Sequence, residues 1–181
     1  MGKLEFFIGS DDKVWIRQDD SCRQLTMKET EIIELLRGKI ERIYPTANKR
    51  LLEIFDELKF NKWSMNYRIV DRFIRCNMGA DNLQEFDIED GLLNLEEVTC
   101  PLHGICKDEN IICRPKENSV FSQAEKKVVL LYAKGYSVDE IASKLDKNRS
   151  TVNNQIWQVT RRLGLSRRRQ LIQIAVDYKM V

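Results

Sequence analysis

No apolar run in this sequence approaches the ~20 residues needed to cross a bilayer as a helix, which excludes a helical membrane span. The opening MGKLEFFIG lacks the long apolar stretch of a secretory signal, and Phe6 stands where a myristoylation motif wants Ser or Thr. Cytoplasmic residence is the expectation. No glycine-rich phosphate loop, internal repeat or low-complexity tract occurs. The single histidine, His103, has no evident nucleophile as partner, which argues against an enzyme. Asp11 and Asp12 sit in a turn rather than after a buried strand, and no later strand-aspartate and lysine pattern follows, so a phosphoryl-accepting receiver domain is not read here.

What is present describes a water-soluble globular chain, 43% hydrophobic and 32% charged, long enough at 181 residues for one ordinary domain or two small ones. The net charge of +2 hides an asymmetry. From Phe121 onward, twelve Lys/Arg face five Asp/Glu, giving +7; the residues before it balance to −5. A basic C-terminal module following an acidic one fits a nucleic-acid-binding domain joined to a sensing or interaction domain.

The most informative stretch is Ser137 to Gly164, SVDEIASKLDKNRSTVNNQIWQVTRRLG. Ser137 and Glu140 have capping-box spacing, in which hydroxyl and carboxylate satisfy backbone donors at a helix start. Ile141, Ala142 and Leu145 share one face, Asp146-Lys147 forms a turn, and Asn148 is placed to cap the next helix. In that helix Val152, Ile156, Val159 and Leu163 make a core-facing stripe. The opposite face carries Ser150, Asn153, Asn154, Trp157 and Arg161. Amides pair with base edges in a major groove, above all with adenine, while arginines and hydroxyls hold phosphates. The face reads as DNA-recognising; the alternative is a solvated face with Trp157 folded down onto the protein.

The flanking residues extend the pattern. Ser122 and Glu125 make a second capping box, Val128, Leu131 and Tyr132 a stripe, and Gly135 a stop. After Gly164, Leu171, Ile174, Ala175 and Tyr178 recur at helical spacing, so four short helices are expected, the recognition candidate third. The Ser122-x-x-Glu125 opening, Ala-Lys-Gly-Tyr-Ser at 133–137, Glu140-Ile141-Ala142 with Leu145, Thr151-Val152 and Arg162-Leu163-Gly164-Leu165-Ser166 together resemble the LuxR-type helix-turn-helix domain of bacterial transcription regulators. The resemblance covers roughly the last third of the chain. Against the family pattern, Asp146 replaces a turn glycine, Lys147 an apolar turn residue, and Asn153 and Trp157 replace lysines often found on the recognition helix, so no target sequence transfers.

Upstream, KLEFFI and KVWIR around Gly9–Asp12 read as a hairpin. Met27–Ile43 is helical, with Ile32, Ile33, Leu36, Ile40 and Ile43 in a stripe; Pro45 interrupts, and a second helix from Thr46 or Asn48 carries Leu51, Leu52, Phe55 and Leu58. Trp63–Met78 suggests a third, with Val70, Phe73, Ile74 and Met78 inward and Arg68, Arg72 and Arg75 outward. FDI and LLNLEEV flank a turn at Glu89-Asp90-Gly91, and Arg114–Asn118 reads as a linker. The fold expected is mainly α: a mixed α+β domain over 1–118, then a four-helix domain over 119–181.

Residues 100–113, CPLHGICKDENIIC, hold three of the five cysteines and the only histidine. Cys100, His103, Cys106 and Cys113 would suffice for tetrahedral zinc, although their spacing is not that of a standard finger. The other readings are a reduced cysteine cluster with His103 exposed, and an iron–sulfur centre or redox switch. Cys22 and Cys76 read as isolated core or surface residues.

The function expected is that of a sequence-specific, DNA-binding bacterial transcription regulator. Helix 150–162 enters the major groove of double-stranded DNA, with Asn153, Asn154 and Trp157 nearest bases and Ser150, Thr151, Arg161 and Arg168 on the backbone. From the resemblance, the fourth helix forms a homodimer contact on DNA, with Leu171, Ile174 and Tyr178 divided between that role and the core. The alternative is a protein-interaction module whose helix-turn-helix face docks RNA polymerase or another partner.

Overall fold

The computed structural model describes residues 3–79, 86–89, 92–116 and 121–177. The chain divides into two units, Met1–Asn118 and Ser119–Val181. Helix predominates, with small antiparallel sheets confined to the first unit.

The N-terminal unit opens with β1 (Glu5–Ile8), β2 (Val14–Gln18) and β3 (Ser21–Gln24) in an antiparallel meander. Phe6 pairs with Ile16 and Ile8 with Val14, so the period-2 alternation turns Phe6, Val14 and Ile16 into the core. Gly9 lies under the Trp15 indole, where a Cβ would meet Nε1 at 2.6 Å, and Asp12 takes the positive φ of 56° that closes the turn. The Trp15 indole N–H donates to Asp11 Oδ1 at 3.1 Å. The strand β3 was not expected from sequence: its Ser-Cys-Arg-Gln is polar, and its turn, Asp19-Asp20, lacks glycine. Asp19 supplies the left-handed conformation itself, at φ 50°.

Helix α1 (Thr30–Ile43) buries Ile32, Ile33, Leu36 and Ile40, leaving Ile43 half-buried. Pro45 does not separate two helices by a gap. It is the first residue of α2 (Pro45–Ile54), where its missing N–H costs nothing and its fixed φ suits a helix start. The residue before it, Tyr44, is buried against Phe73, ring centroids 5.4 Å apart. Helix α3 (Lys62–Asn77) is capped by Asn61, whose Oδ1 accepts from Ser64 N at 3.1 Å, and it buries Ile69, Val70, Phe73 and Ile74. The short strands β4 (Ile88–Glu89) and β5 (Leu92–Leu93) pair antiparallel, and Leu4 bridges to Ile88. Asp90 and Gly91 of the expected turn, and residues 117–118 of the expected linker, lie outside the described residues.

In the C-terminal unit α4 (Gln123–Ala133), α5 (Val138–Lys144), α6 (Arg149–Arg162) and α7 (Gln170–Asp177) enclose a small core. Val128, Val129, Ile141, Val152, Ile156, Val159, Leu171 and Ala175 form it. Both predicted capping boxes are made: Glu125 N donates to Ser122 Oγ and Ser122 N to Glu125 Oε2, with the same exchange between Ser137 and Glu140. The first three helices all end the same way. Gly135, Asp146 and Gly164 adopt positive φ of 90°, 49° and 64°. The following amides of Tyr136, Lys147 and Leu165 reach back to the carbonyls of Leu131, Ala142 and Thr160. Asp146 thus takes the left-handed turn position in place of glycine. Among the described residues, no helix is long and apolar enough to cross a membrane.

Candidate nucleic-acid interface

Helix α6 presents one wet face. Ser150, Thr151, Asn154, Trp157 and Arg161 are exposed, while Val152, Ile156 and Val159 are buried beneath them. Trp157 keeps 48% of its surface exposed, so it is not folded down onto the protein; the Arg161 guanidinium lies over its ring, 5.2 Å from the centroid. Asn148 occupies the N-cap position but its side chain makes no capping bond.

Two predicted residues are tied together. Arg168, just before α7, donates from Nη1 to Asn153 Oδ1 at 2.9 Å, and Asn153 is half-buried. An asparagine reads adenine with both its oxygen and its amino group; the Asn153 oxygen is already shared with Arg168, whereas Asn154 is exposed. Gln158, exposed and one turn beyond Asn154, completes the surface stripe and was missed from sequence. Its signal was available: it lies four residues after Asn154 and three before Arg161.

The second arginine of the pair at the end of α6 has a different task. Arg162 donates to both oxygens of Glu125, at 3.1 and 2.7 Å, and Glu125 also receives the amide of Ser122. Burial pushes the Glu125 carboxyl up, but Arg162 and Ser122 outweigh it and hold the group below its ordinary value. The end of α6 is thereby fastened to the start of α4, and Arg161 alone of the two projects from the wet face. On α7, Leu171 is fully buried and Ile174 half-buried; Ile172 and Val176 are the exposed apolar residues. Tyr178 lies outside the described residues.

Residues 119–175 match the family described as bacterial regulatory proteins, luxR family. The C-terminal unit is a LuxR-type helix-turn-helix domain. At the level of the family, a LuxR-type domain is the DNA-binding part of a transcription regulator, and α5 with α6 is its helix-turn-helix. No curated protein matches the chain, and no solved structure does.

The cysteine loop of the N-terminal unit does not gather as the predicted quartet. His103 is exposed and its Nδ1 lies 2.9 Å from Glu109 Oε1, and the other Glu109 oxygen accepts the amide of Gly104. Among the described residues, no group of three or more His, Cys, Asp or Glu side chains is arranged to hold a single metal ion.

Proposed function

We propose that the protein is a sequence-reading transcription regulator that lays α6 in the major groove of duplex DNA. The single observation that carries this reading is the continuous exposed stripe Ser150, Asn154, Trp157, Gln158 and Arg161 on the second helix of a LuxR-type helix-turn-helix. Asn154 carries base readout, joined by Trp157 against a thymine methyl and by Asn153. Ser150, Thr151, Arg161 and Arg168 hold the backbone. Arg161, stacked on the indole, keeps its fork pre-aimed for a phosphate. Two copies bind two half-sites, meeting through α7, with Ile172 and Val176 as the contact rather than Leu171, which the core consumes.

Binding of the full chain to duplex DNA across a series of salt concentrations tests this. Affinity should fall with salt by a slope of about −0.9 per phosphate neutralised, and Arg161→Ala should weaken every sequence alike and reduce the slope by roughly one. A slope that Arg161→Ala and Arg168→Ala both leave unchanged removes them from the interface.

The exposure of Trp157 favours one other reading. An exposed tryptophan beside an arginine has the chemistry of a protein hot spot, and the same face would then dock RNA polymerase or another protein. Weak duplex binding indifferent to sequence, with Trp157→Ala abolishing capture of the polymerase, would favour that reading.

A further inference from the structure

We propose that Cys76, Cys100, Cys106 and Cys113 form a four-thiolate site for an iron–sulfur cluster in the N-terminal unit. In sequence Cys76 stands well apart from the loop cysteines; the fold removes that separation. Cys76 lies in the last turn of α3, and its neighbour Asn77 is fully buried. Asn77 Nδ2 donates to Ile112 O and its Oδ1 accepts from Arg114 N, both at 3.0 Å. Those partners flank Cys113, so one amide side chain holds the last loop cysteine at the helix end that carries Cys76. Asn77 O also accepts Glu96 N at 2.7 Å, which fixes the segment leading to Cys100.

The loop itself is wound rather than extended. His103 N donates to Cys100 O, Cys106 N to Leu102 O and Glu109 N to Cys106 O, and Asp108 anchors the winding to α2 through Arg50 at 2.7 Å. The result is one cavity of about 290 Å³ lined by all four cysteines, with Arg72 and Arg75 in its wall. All four are free thiols, Cys100 exposed and Cys76, Cys106 and Cys113 half-buried.

Size and chemistry select the occupant. A tetrahedral zinc with Zn–S bonds of about 2.3 Å needs sulfurs roughly 3.8 Å apart. No three candidate ligands among the described residues are gathered for a single ion. The cavity is several times the ~30 Å³ share of one water, which suits a polynuclear core. His103, Asp108 and Glu109 also line the cavity, but His103 and Glu109 are paired with each other and Asp108 with Arg50. That leaves the four thiols as its uncommitted donors, the ligand set of iron–sulfur clusters. Arg72 in the wall offsets the negative charge of a thiolate-ligated cluster, whereas Arg75 is paired with Asp71 and Asp12.

The test uses the full chain, purified without oxygen or loaded anaerobically with ferrous iron, sulfide and a thiol reductant. Iron and acid-labile sulfide should appear in equal amounts, about two or about four of each per chain, with visible charge-transfer absorption. Cys76→Ser and Cys113→Ser should lose nearly all of it, while Cys22→Ser and His103→Ala retain it; circular dichroism checks that each variant is folded. If Cys76→Ser fails to fold, Cys100→Ser, at an exposed position, carries the same expectation. One zinc per chain that survives Cys76→Ser and is lost in His103→Ala would overturn the assignment in favour of the loop quartet. No iron or sulfide above that bound by Cys76→Ser would overturn it outright.

Discussion

Asp87 in the N-terminal unit and Glu125 in the C-terminal unit are both buried carboxylates, yet their surroundings push them in opposite directions. Asp87 receives the Phe6 amide at 2.6 Å, but burial and the nearby Glu5 and Glu96 dominate, and its carboxyl is pushed up to about 9. Glu125 is met by a guanidinium and a backbone amide and is held below its ordinary value. The difference reflects how each unit is built. The first has a broad apolar core that closes over polar groups, and its acids are buried in one another's company. The second is a small domain with a thin core, and it fastens its helices with caps and with ion pairs such as Arg162–Glu125 and Arg149–Asp139.

The largest consequence concerns pH. An acid whose folded pKa lies above its unfolded value of about 3.9 favours the folded state fully below that value, and this contribution is lost as pH rises toward about 9. Denaturant unfolding of wild type and Asp87→Asn should therefore diverge with pH. The variant should gain on wild type by on the order of 4 kcal/mol between about pH 4 and about pH 7. Parallel pH profiles would mean Asp87 is ionised without penalty, and the contrast between the units would collapse.

Glu125→Gln sharpens the other side, since glutamine still suits a capping box and only the charge pair with Arg162 is removed. Loss of about 1.5–3 kcal/mol from the C-terminal unit is expected at neutral pH. Here the sign reverses: the stabilisation is present above the unfolded carboxylate value of about 4.3 and is lost as pH falls through the depressed folded one. Thermal unfolding monitored in that unit at neutral and acid pH would show it, and an acid-insensitive difference would contradict it.

The smallest effect separates two caps within the C-terminal unit. Ser137 exchanges both capping bonds with Glu140, so Ser137→Ala should cost about 1 kcal/mol. Asn148 makes none, so Asn148→Ala should cost only a few tenths. Equal losses in chemical denaturation would show that Asn148 caps α6 in solution.

The same contrast decides what could be read from the residues alone. The C-terminal helices announce themselves locally: each capping box spans three residues, each stripe repeats within a turn or two, and Gly135 and Gly164 end helices where they fall. The long-range fastening of Arg162 to Glu125 was invisible because both residues carry ordinary local roles. On α6 the stripe was legible, Gln158 included by its spacing, whereas the Arg168 contact to Asn153 carries no local signature. In the N-terminal unit the helices were legible from apolar periodicity, whereas β3 was hidden by its polar residues. The place of Cys76 beside the loop depends on Asn77 and its partners 35 and 37 residues away, and no local pattern encodes that.

The most direct test of the central claim is selection of bound duplexes from a random DNA pool with the full chain, repeated with Asn154→Ala. An enriched motif of two related half-sites is expected for wild type. Asn154→Ala should relax one base position in each half-site by about 1–3 kcal/mol while leaving the rest of the motif intact. Absence of any enriched motif, or a motif that Asn154→Ala leaves unchanged at every position, would contradict base reading by α6.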